Sequence, residues 1–280
     1  MCFHVDLVYH LLAHMDLKNN ASCLFSNKYV QDITRKKVSL GIDSYLEQEL
    51  APFIETYLKG FERLSLINFM TFYANDLEQT RNALLTQPFY TMEDKEKFLI
   101  PFFNIAKKEK DTFYIEFWTK EIEKHSKLMK QFNIYIENKI NNFNNIFKFY
   151  NVSPNIYLSL SLTQNGRGFY IKDYFNAIAP LPRSNDEFSN SFVQIFHEMT
   201  HQFTDNLIDG KISLSDDTHS LSESLVILTD FYLFKKYNSS MLEGYCKQFG
   251  ITECSETVAN EKYAIPLELR KRMENILLQL

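Results

Sequence analysis

Two histidines and a glutamate in the last third of the chain carry the clearest chemical signal. The segment His197-Glu198-Met199-Thr200-His201 has the pattern H-E-x-x-H. On an α-helix, positions i and i+4 lie about 40° apart and one turn along the axis, so two imidazoles can reach a single ion. Glu198 stands beside the first histidine, where its carboxylate can take a proton from a metal-bound water without being a ligand. The spacing therefore predicts a catalytic zinc site.

A third ligand must come from elsewhere, because a catalytic zinc ion takes three protein ligands and keeps one position open for water. Glu223 follows His201 by 22 residues and lies near the start of a predicted second helix, from about 218 to 236. If this helix folds back against the first, Glu223 completes a site of two histidines and one glutamate. His219, one turn earlier on the same face, is the competing ligand. Ser220 and Glu223 also match a capping box, in which the glutamate only caps a backbone N–H.

These residues resemble the gluzincins, the thermolysin-like branch of the zinc metallopeptidases. The resemblance rests on His197, Glu198, His201 and Glu223, and it covers only the last third of the chain. It implies that the two histidines and Glu223 bind zinc and that Glu198 is the general base. It also implies a zincin-like active-site helix preceded by a small antiparallel sheet or hairpin.

The acidic residues that would orient the histidines match the gluzincin pattern less well than the ligands do. Gluzincins often carry an acid four residues after the ligand glutamate, in support of the first histidine. Ile227 occupies that position here, and the nearest acid is Asp230. Asp205, one turn after His201, fits either a role in holding an imidazole tautomer or a solvated helix end.

A peptidase also needs a hydrogen-bond donor that stabilises the oxyanion of the transition state, usually a tyrosine or histidine. The available candidates are Tyr170, Tyr174, Tyr232, Tyr245, Tyr263 and His219. Because gluzincin donors often come from well downstream of the motif helix, the resemblance favours Tyr263.

The motif helix has its own start and stop signals. Ser184-x-x-Glu187 matches a capping box ahead of the helix, and Gly210 is a suitable residue to end it. Apolar residues recur through the segment at helical spacing, which predicts one buried face.

A small β-structure is predicted just upstream. Residues 156–163 alternate apolar and polar side chains, as in a half-buried strand, and Asn165-Gly166 is a strong turn signal. Residues 169–179 then read as the returning strand. Within it, Asn176–Ala179 is similar to the edge segment on which gluzincins bind peptide backbone by strand addition, and an ordinary strand end explains it equally well.

Residues 1–150 show apolar residues at helical spacing, which predicts a helical N-terminal region. Residues 151–280 form the predicted zincin-like catalytic region, so the fold class is α+β and predominantly helical. Asp6, His10 and His14 share one face of the first helix at spacings of four residues. They could bind a metal, although three polar residues on one face more often mark a solvent-facing side.

The composition limits the possible functions. The chain has 280 residues, with 30 Lys and Arg against 35 Asp and Glu, so its net charge is 30 − 35 = −5. This acidic balance argues against nucleic-acid binding. No uncharged apolar run is long enough for a transmembrane helix, and the N-terminus lacks the pattern of a signal peptide. The 4 cysteines form no CxxC pair. Together these features predict a cytoplasmic protein with no membrane partner.

The resulting hypothesis is a cytoplasmic zinc metallopeptidase that acts on a peptide or protein substrate. Two alternatives stay open. The chain could be a catalytically inactive, peptidase-like module that binds peptides or proteins, or a helical structural protein in which H-E-x-x-H is coincidental. The sequence gives no indication of the cleavage specificity or the oligomeric state.

Overall fold

The structure is a computed structural model, and it describes residues 1–15, 17, 25–43, 45–143, 146, 155–163, 165–171, 174–208 and 216–279. Two predictions lie outside these residues: the helix stop at Gly210 and the division between residues 150 and 151. The side chains of Tyr170 and Tyr174 also lie outside the described part.

The described chain is mostly helical. Its α-helices are α1 (Phe3–Ala13), α2 (Asn27–Ser39), α3 (Leu46–Leu50), α4 (Ile54–Lys59), α5 (Phe61–Leu64), α6 (Ile67–Met70), α7 (Leu77–Thr86), α8 (Met92–Asp94), α9 (Ile100–Glu109), α10 (Ile115–Asn141), α11 (Phe188–Thr204), α12 (Asp216–Tyr237), α13 (Leu242–Gln248), α14 (Glu256–Lys262) and α15 (Leu267–Gln279). Two π-helical segments, Lys95–Leu99 and Lys110–Tyr114, join α8 to α9 and α9 to α10.

Three strands form one small sheet: β1 (Asn155–Ser159), β2 (Arg167–Ile171) and β3 (Tyr174–Pro180), in the order β1-β3-β2. The amide of Asn155 donates to the side chain of Asn176, and the Leu181 N–H donates to the Ser159 carbonyl. Both contacts place β1 parallel to β3. The helices and this small mixed sheet confirm the α+β, predominantly helical class.

The predicted hairpin across Asn165-Gly166 is wrong, because β1 pairs with β3 instead of with the strand that follows this turn. The predicted strand over 156–163 also ends early, at Ser159. There the backbone N–H groups of Leu160 and Ser161 donate to the Asp6 carboxylate and so leave the ladder. A non-local contact therefore overrides the local alternation of apolar and polar residues.

The returning strand differs as well, since residues 169–179 divide into β2 and β3. Asn176 lies in β3, which is the central strand of this sheet. A central strand has neighbours on both sides, so β3 cannot add a peptide as a further strand. The proposed edge segment at Asn176–Ala179 is therefore wrong for the sheet as described.

The chain divides into two compact units. Unit 1 comprises Met1–Ser126, Tyr157–Ile171 and Ala179–Leu181, and unit 2 comprises Lys127–Ile156, Lys172–Ile178 and Pro182–Leu280. The candidate metal ligands all lie in unit 2. The sequence-based division into 1–150 and 151–280 stays a prediction.

Helix α1 forms the centre of unit 1, and its polar face is buried. His10 lies between the Tyr29 hydroxyl and the Glu109 carboxylate, each 2.9 Å away, and His14 lies 2.9 Å from Glu47. The expectation of a solvent-facing side for Asp6, His10 and His14 is thus wrong, because unit 1 supplies hydrogen-bond partners to all three residues.

Asp6 is the most heavily bonded residue of this face. Its buried carboxylate accepts hydrogen bonds from the Ser159 hydroxyl, the Trp118 indole and two backbone N–H groups. One side chain thereby links α1, α10 and the end of β1. Among the described residues, no helix is long and apolar enough to cross a membrane.

Replacing Asp6 should therefore destabilise unit 1. Asp6→Ala leaves four buried donors without their acceptor, so we expect the free energy of unfolding to fall by at least about 3 kcal/mol. Asp32→Ala is the matched control, because Asp32 is exposed and pairs only with Arg35 on its own helix; it should cost less than about 1 kcal/mol. Urea denaturation followed by circular dichroism measures both, and equal losses would contradict this role.

Candidate metal centre

Helix α11 carries the H-E-x-x-H motif, and aromatic packing fixes its orientation. The Phe196 ring lies 4.5 Å from the Phe143 ring and 4.8 Å from the Phe234 ring, centroid to centroid. Phe188, two turns earlier, packs on Phe132 at 5.0 Å. This buried aromatic face confirms the predicted apolar stripe. It turns the histidine face toward α12.

The start of α11 differs from the prediction. Ser184 makes no side-chain cap, and a short 3₁₀ segment, Asn185–Glu187, precedes the α-helix. Glu187 instead accepts a hydrogen bond from the backbone N–H of Arg183 at 2.7 Å. The predicted Ser184–Glu187 capping box is therefore absent, because the first turn is wound more tightly than an α-turn.

Helix α12 begins at Asp216, so Glu223 lies about two turns inside it. A capping-box glutamate occupies the third position of a helix, and the capping alternative for Ser220 and Glu223 is therefore wrong. After Glu223 the helix is buried on several sides, and Leu225, Leu228 and Phe231 lie in the core. This burial holds Glu223 in register with α11.

His197, His201 and Glu223 converge on one point. The Nε2 atom of His197 lies 3.2 Å from Oε2 of Glu223, and the Nε2 atom of His201 lies 3.6 Å from Oε1. One ligand atom from each residue lies within 4.8 Å of the other two, so this group could hold a metal ion. The side chain of His197 is 6% exposed and that of Glu223 is 35% exposed, so the group is open on the glutamate side.

Asp230 orients His197. Its buried carboxylate lies 3.1 Å from Nδ1 of His197 and accepts a hydrogen bond from the Thr200 hydroxyl, with the Tyr245 hydroxyl 3.4 Å away. A carboxylate at this nitrogen keeps a proton on Nδ1, so Nε2 is the nitrogen that can exchange its own proton for a metal ion. This arrangement is typical of metal-binding histidines.

His201 has the same arrangement with a more exposed partner. Asp205 Oδ1 lies 3.1 Å from its Nδ1 atom, and the Ser222 hydroxyl donates to the same carboxylate oxygen at 2.7 Å. Asp205 thus contacts the imidazole from the C-terminal end of the helix, where its side chain is 56% exposed. Ser222 directly precedes Glu223, so the two helices are also joined beside the site.

Sequence reasoning named Asp230 only as the nearest acid and assigned it no role. Its signal was present in the spacing, since Asp230 follows Glu223 by seven residues. Positions i and i+7 lie on the same face of an α-helix, two turns apart. The family position at Ile227 points elsewhere, because Ile227 is buried in the apolar core.

The electrostatics of the group favour positive charge between the ligands. Burial alone would lower the pKa of His197, but hydrogen bonds to Asp230 and Glu223 raise it to about 10. Burial likewise opposes the charge on His201, and Asp205 and Glu223 raise its pKa to about 9. Burial would raise the pKa of Glu223, yet the two imidazoles hold it well below its usual range. A position that stabilises protons so strongly also stabilises a metal cation.

Glu198 and His219 lie beside the group but outside it. The charge of Glu198 contributes to the raised pKa values of both motif histidines, so its carboxylate is close to them. His219 is exposed, with Nε2 3.9 Å from Oε1 of Glu223. The described group that could hold an ion contains Glu223 and not His219.

The tyrosine candidates occupy different places. Tyr245 is buried, and its hydroxyl donates to the Ile227 carbonyl at 2.9 Å. Tyr232 accepts a hydrogen bond from Asn260. The Tyr263 hydroxyl donates to the Phe249 carbonyl at 2.5 Å, and the Phe249 ring lies 5.1 Å from the His197 ring. Burial and then the charge of Glu223 raise the pKa of Tyr263, so this tyrosine lies at the rim of the site.

Comparison with known proteins identifies no relative: no protein-family model, no curated protein and no solved structure matches the chain. The geometry of the site therefore carries the functional argument alone.

Asp230 should be needed for tight metal binding. Asp230→Ala removes the acceptor that holds the His197 tautomer, so we expect the affinity for Co²⁺, used as a spectroscopic probe, to fall about 10- to 100-fold. Asp230→Asn keeps an acceptor oxygen without the charge and should lose less. Asp186→Ala, an exposed aspartate before α11, is the control. Absorption titration measures all three variants, and Co²⁺ binding by Asp230→Ala as tight as in the wild type would contradict the role of Asp230.

Proposed function

We propose that this chain is a zinc-dependent metallopeptidase of gluzincin type. The observation that carries the proposal is the convergence of the His197 and His201 Nε2 atoms on the Glu223 carboxylate, with each Nδ1 atom held by an aspartate. Two imidazole nitrogens and one carboxylate oxygen are a donor set of catalytic zinc sites. Calcium and magnesium prefer all-oxygen sites, so the two imidazoles favour zinc over them.

The residues around the ligands fit peptide hydrolysis. Bound zinc would act as a Lewis acid toward the scissile carbonyl and would make an adjacent water more acidic. Glu198 follows His197 directly and is not among the three ligands, so its carboxylate can take the proton of the attacking water. The same group can then return the proton to the leaving amine. This sequence of transfers assigns Glu198 the roles of general base and general acid.

Two residues at the rim of the candidate metal site could donate a hydrogen bond to the oxyanion. Tyr263 is the better placed by burial and already donates to a carbonyl, that of Phe249. A substrate oxygen could exchange with this carbonyl. His219 is the second candidate, and its exposure leaves it able to turn toward a substrate. Tyr263 is the favoured donor of the two.

The first test asks whether the protein binds zinc and whether Glu223 is one of the ligands. We expect elemental analysis of untagged protein to give about one zinc per chain in the wild type and a sharply reduced content in Glu223→Ala, since this change removes one of three ligands. Glu243→Ala, an exposed glutamate on α13, should keep full zinc. Full zinc in Glu223→Ala would point to His219 as the third ligand. No zinc in any variant after reconstitution would leave the H-E-x-x-H motif coincidental.

The catalytic role of Glu198 has a separate test. Glu198→Gln keeps the shape of the side chain but removes its basicity, so it should retain zinc and lose at least about a hundredfold in the rate of peptide hydrolysis. Peptide-library digestion read by mass spectrometry provides the assay, with Glu243→Gln as the control. A fully active Glu198→Gln would overturn the mechanism. A zinc-loaded wild type that binds peptides without cutting any would favour the inactive binding module.

A further inference from the structure

The C-terminal end of helix α13 lies against the candidate metal centre. The Phe249 ring is 5.1 Å from the His197 ring, centroid to centroid, with 32° between the two planes. It is also 4.7 Å from the ring of Tyr245, which lies one helical turn earlier. The Tyr245 hydroxyl is 3.4 Å from Asp230, the partner of His197 Nδ1. This side of α13 therefore reaches both the His197 ring and the carboxylate that holds it.

Asp230 alone does not fix the plane of the His197 imidazole. A contact at Nδ1 holds one corner of the ring, and the last side-chain torsion of a histidine has a broad energy minimum. The Phe249 ring covers one side of the imidazole, and the His201 ring stands nearly perpendicular to it, 5.2 Å away at 89°. A rotation of the imidazole would disturb both contacts. Phe249 thus helps to determine where Nε2 points.

The backbone around Phe249 is fixed by the cap of α13. Gly250 follows Phe249 with a φ of +62°. Its N–H donates to the Lys247 carbonyl at 3.2 Å, and the Ile251 N–H donates to the Cys246 carbonyl at 2.7 Å. These two bonds and the positive φ are those of a Schellman motif, in which a glycine reverses the chain at a helix end. The motif leaves Phe249 as the last residue of the capped helix.

The end of α14 holds the same corner of the chain. The Tyr263 hydroxyl donates to the Phe249 carbonyl at 2.5 Å, and Nζ of Lys262 donates to the Gly250 carbonyl at 2.5 Å. Two consecutive residues thereby engage two consecutive carbonyls. Movement of the Phe249 ring away from His197 by a shift of its backbone would break both hydrogen bonds.

We propose that Phe249 is a positioning residue of the metal centre, because its ring holds the His197 imidazole in the plane that directs Nε2 at the ion. Such preorganisation strengthens binding, since the metal-free protein has less motion to lose when the ion arrives. The inference rests on the metal centre of the proposed function, and it does not depend on peptide hydrolysis.

Cobalt binding by the full chain tests the role of the ring. Phe249→Leu keeps an apolar side chain but removes the flat surface, so the affinity for Co²⁺ should fall about 3- to 10-fold, the range expected for losing one aromatic pair. The visible absorption bands of bound Co²⁺ should also shift, because they report the ligand geometry. Phe249→Tyr keeps the flat ring and should restore both the affinity and the spectrum.

A phenylalanine on the motif helix itself provides the matched control. Phe188 packs on Phe132 at 5.0 Å and on Tyr135 at 5.5 Å, at the start of α11. Phe188→Leu should therefore lower the thermal stability and leave the Co²⁺ affinity and spectrum as in the wild type. This comparison separates positioning of His197 from a general loss of aromatic packing.

A backbone change tests the same corner without altering the ring. In Gly250→Ala, the new Cβ would lie 2.7 Å from Nζ of Lys262, so the lysine must leave the Gly250 carbonyl while alanine strains the positive φ. The Co²⁺ affinity should fall about as far as in Phe249→Leu. Gly41→Ala is the control, because Gly41 has a φ of +68° with nothing within 4 Å of its added Cβ. It should leave Co²⁺ binding unchanged.

The outcomes distinguish this inference from the metal centre on which it rests. Wild-type affinity and spectrum in Phe249→Leu, an equal loss of affinity in Phe188→Leu, or no recovery in Phe249→Tyr would each overturn the positioning role while Co²⁺ still binds to the wild type. A wild type that binds no Co²⁺ would overturn the metal centre and the inference together.

Discussion

Both imidazoles of the H-E-x-x-H helix must turn the same nitrogen, Nε2, toward one point, and the rest of the site follows from this constraint. An imidazole can present either nitrogen, so the choice is made at the far side of the ring by a hydrogen-bond acceptor at Nδ1. Asp230 is this acceptor for His197, and Asp205 is this acceptor for His201. The His197–Asp230 contact on one side and the Ser222–Asp205 hydrogen bond on the other join α12 to α11 and its C-terminal end, in addition to the aromatic packing of the two helices.

Holding His197 by a buried aspartate also has an energetic cost. A buried carboxylate such as Asp230 is costly unless donors surround it, and His197 and Thr200 supply them. The result is a concentration of acidic groups around two imidazoles in a small part of unit 2. Without a cation this arrangement holds protons on the histidines, and with a cation the same field holds the ion. The preference for positive charge belongs to the fold and not to any single ligand.

Local spacing was enough to predict the motif helix, the second helix and Glu223, because each depends on a few neighbouring residues or on the need for a third donor. Asp230 was not assigned a role, since its contact with His197 depends on the register between two helices. The predicted strand over 156–163 ended early for a related reason: Asp6, far away in sequence, takes the N–H groups that would have continued β1. The zinc identity and the catalytic roles remain predictions, because ligand geometry does not define the reaction.

The exposure of the three ligands falls in order, from 35% for Glu223 through 16% for His201 to 6% for His197. An ion entering this group from solvent would therefore meet the Glu223 carboxylate first and the two imidazoles afterwards. Such a gradient would let an ion lose its water molecules one at a time, with each replaced before the next is lost. Release would retrace this path in reverse, with the buried His197 letting go first and Glu223 last.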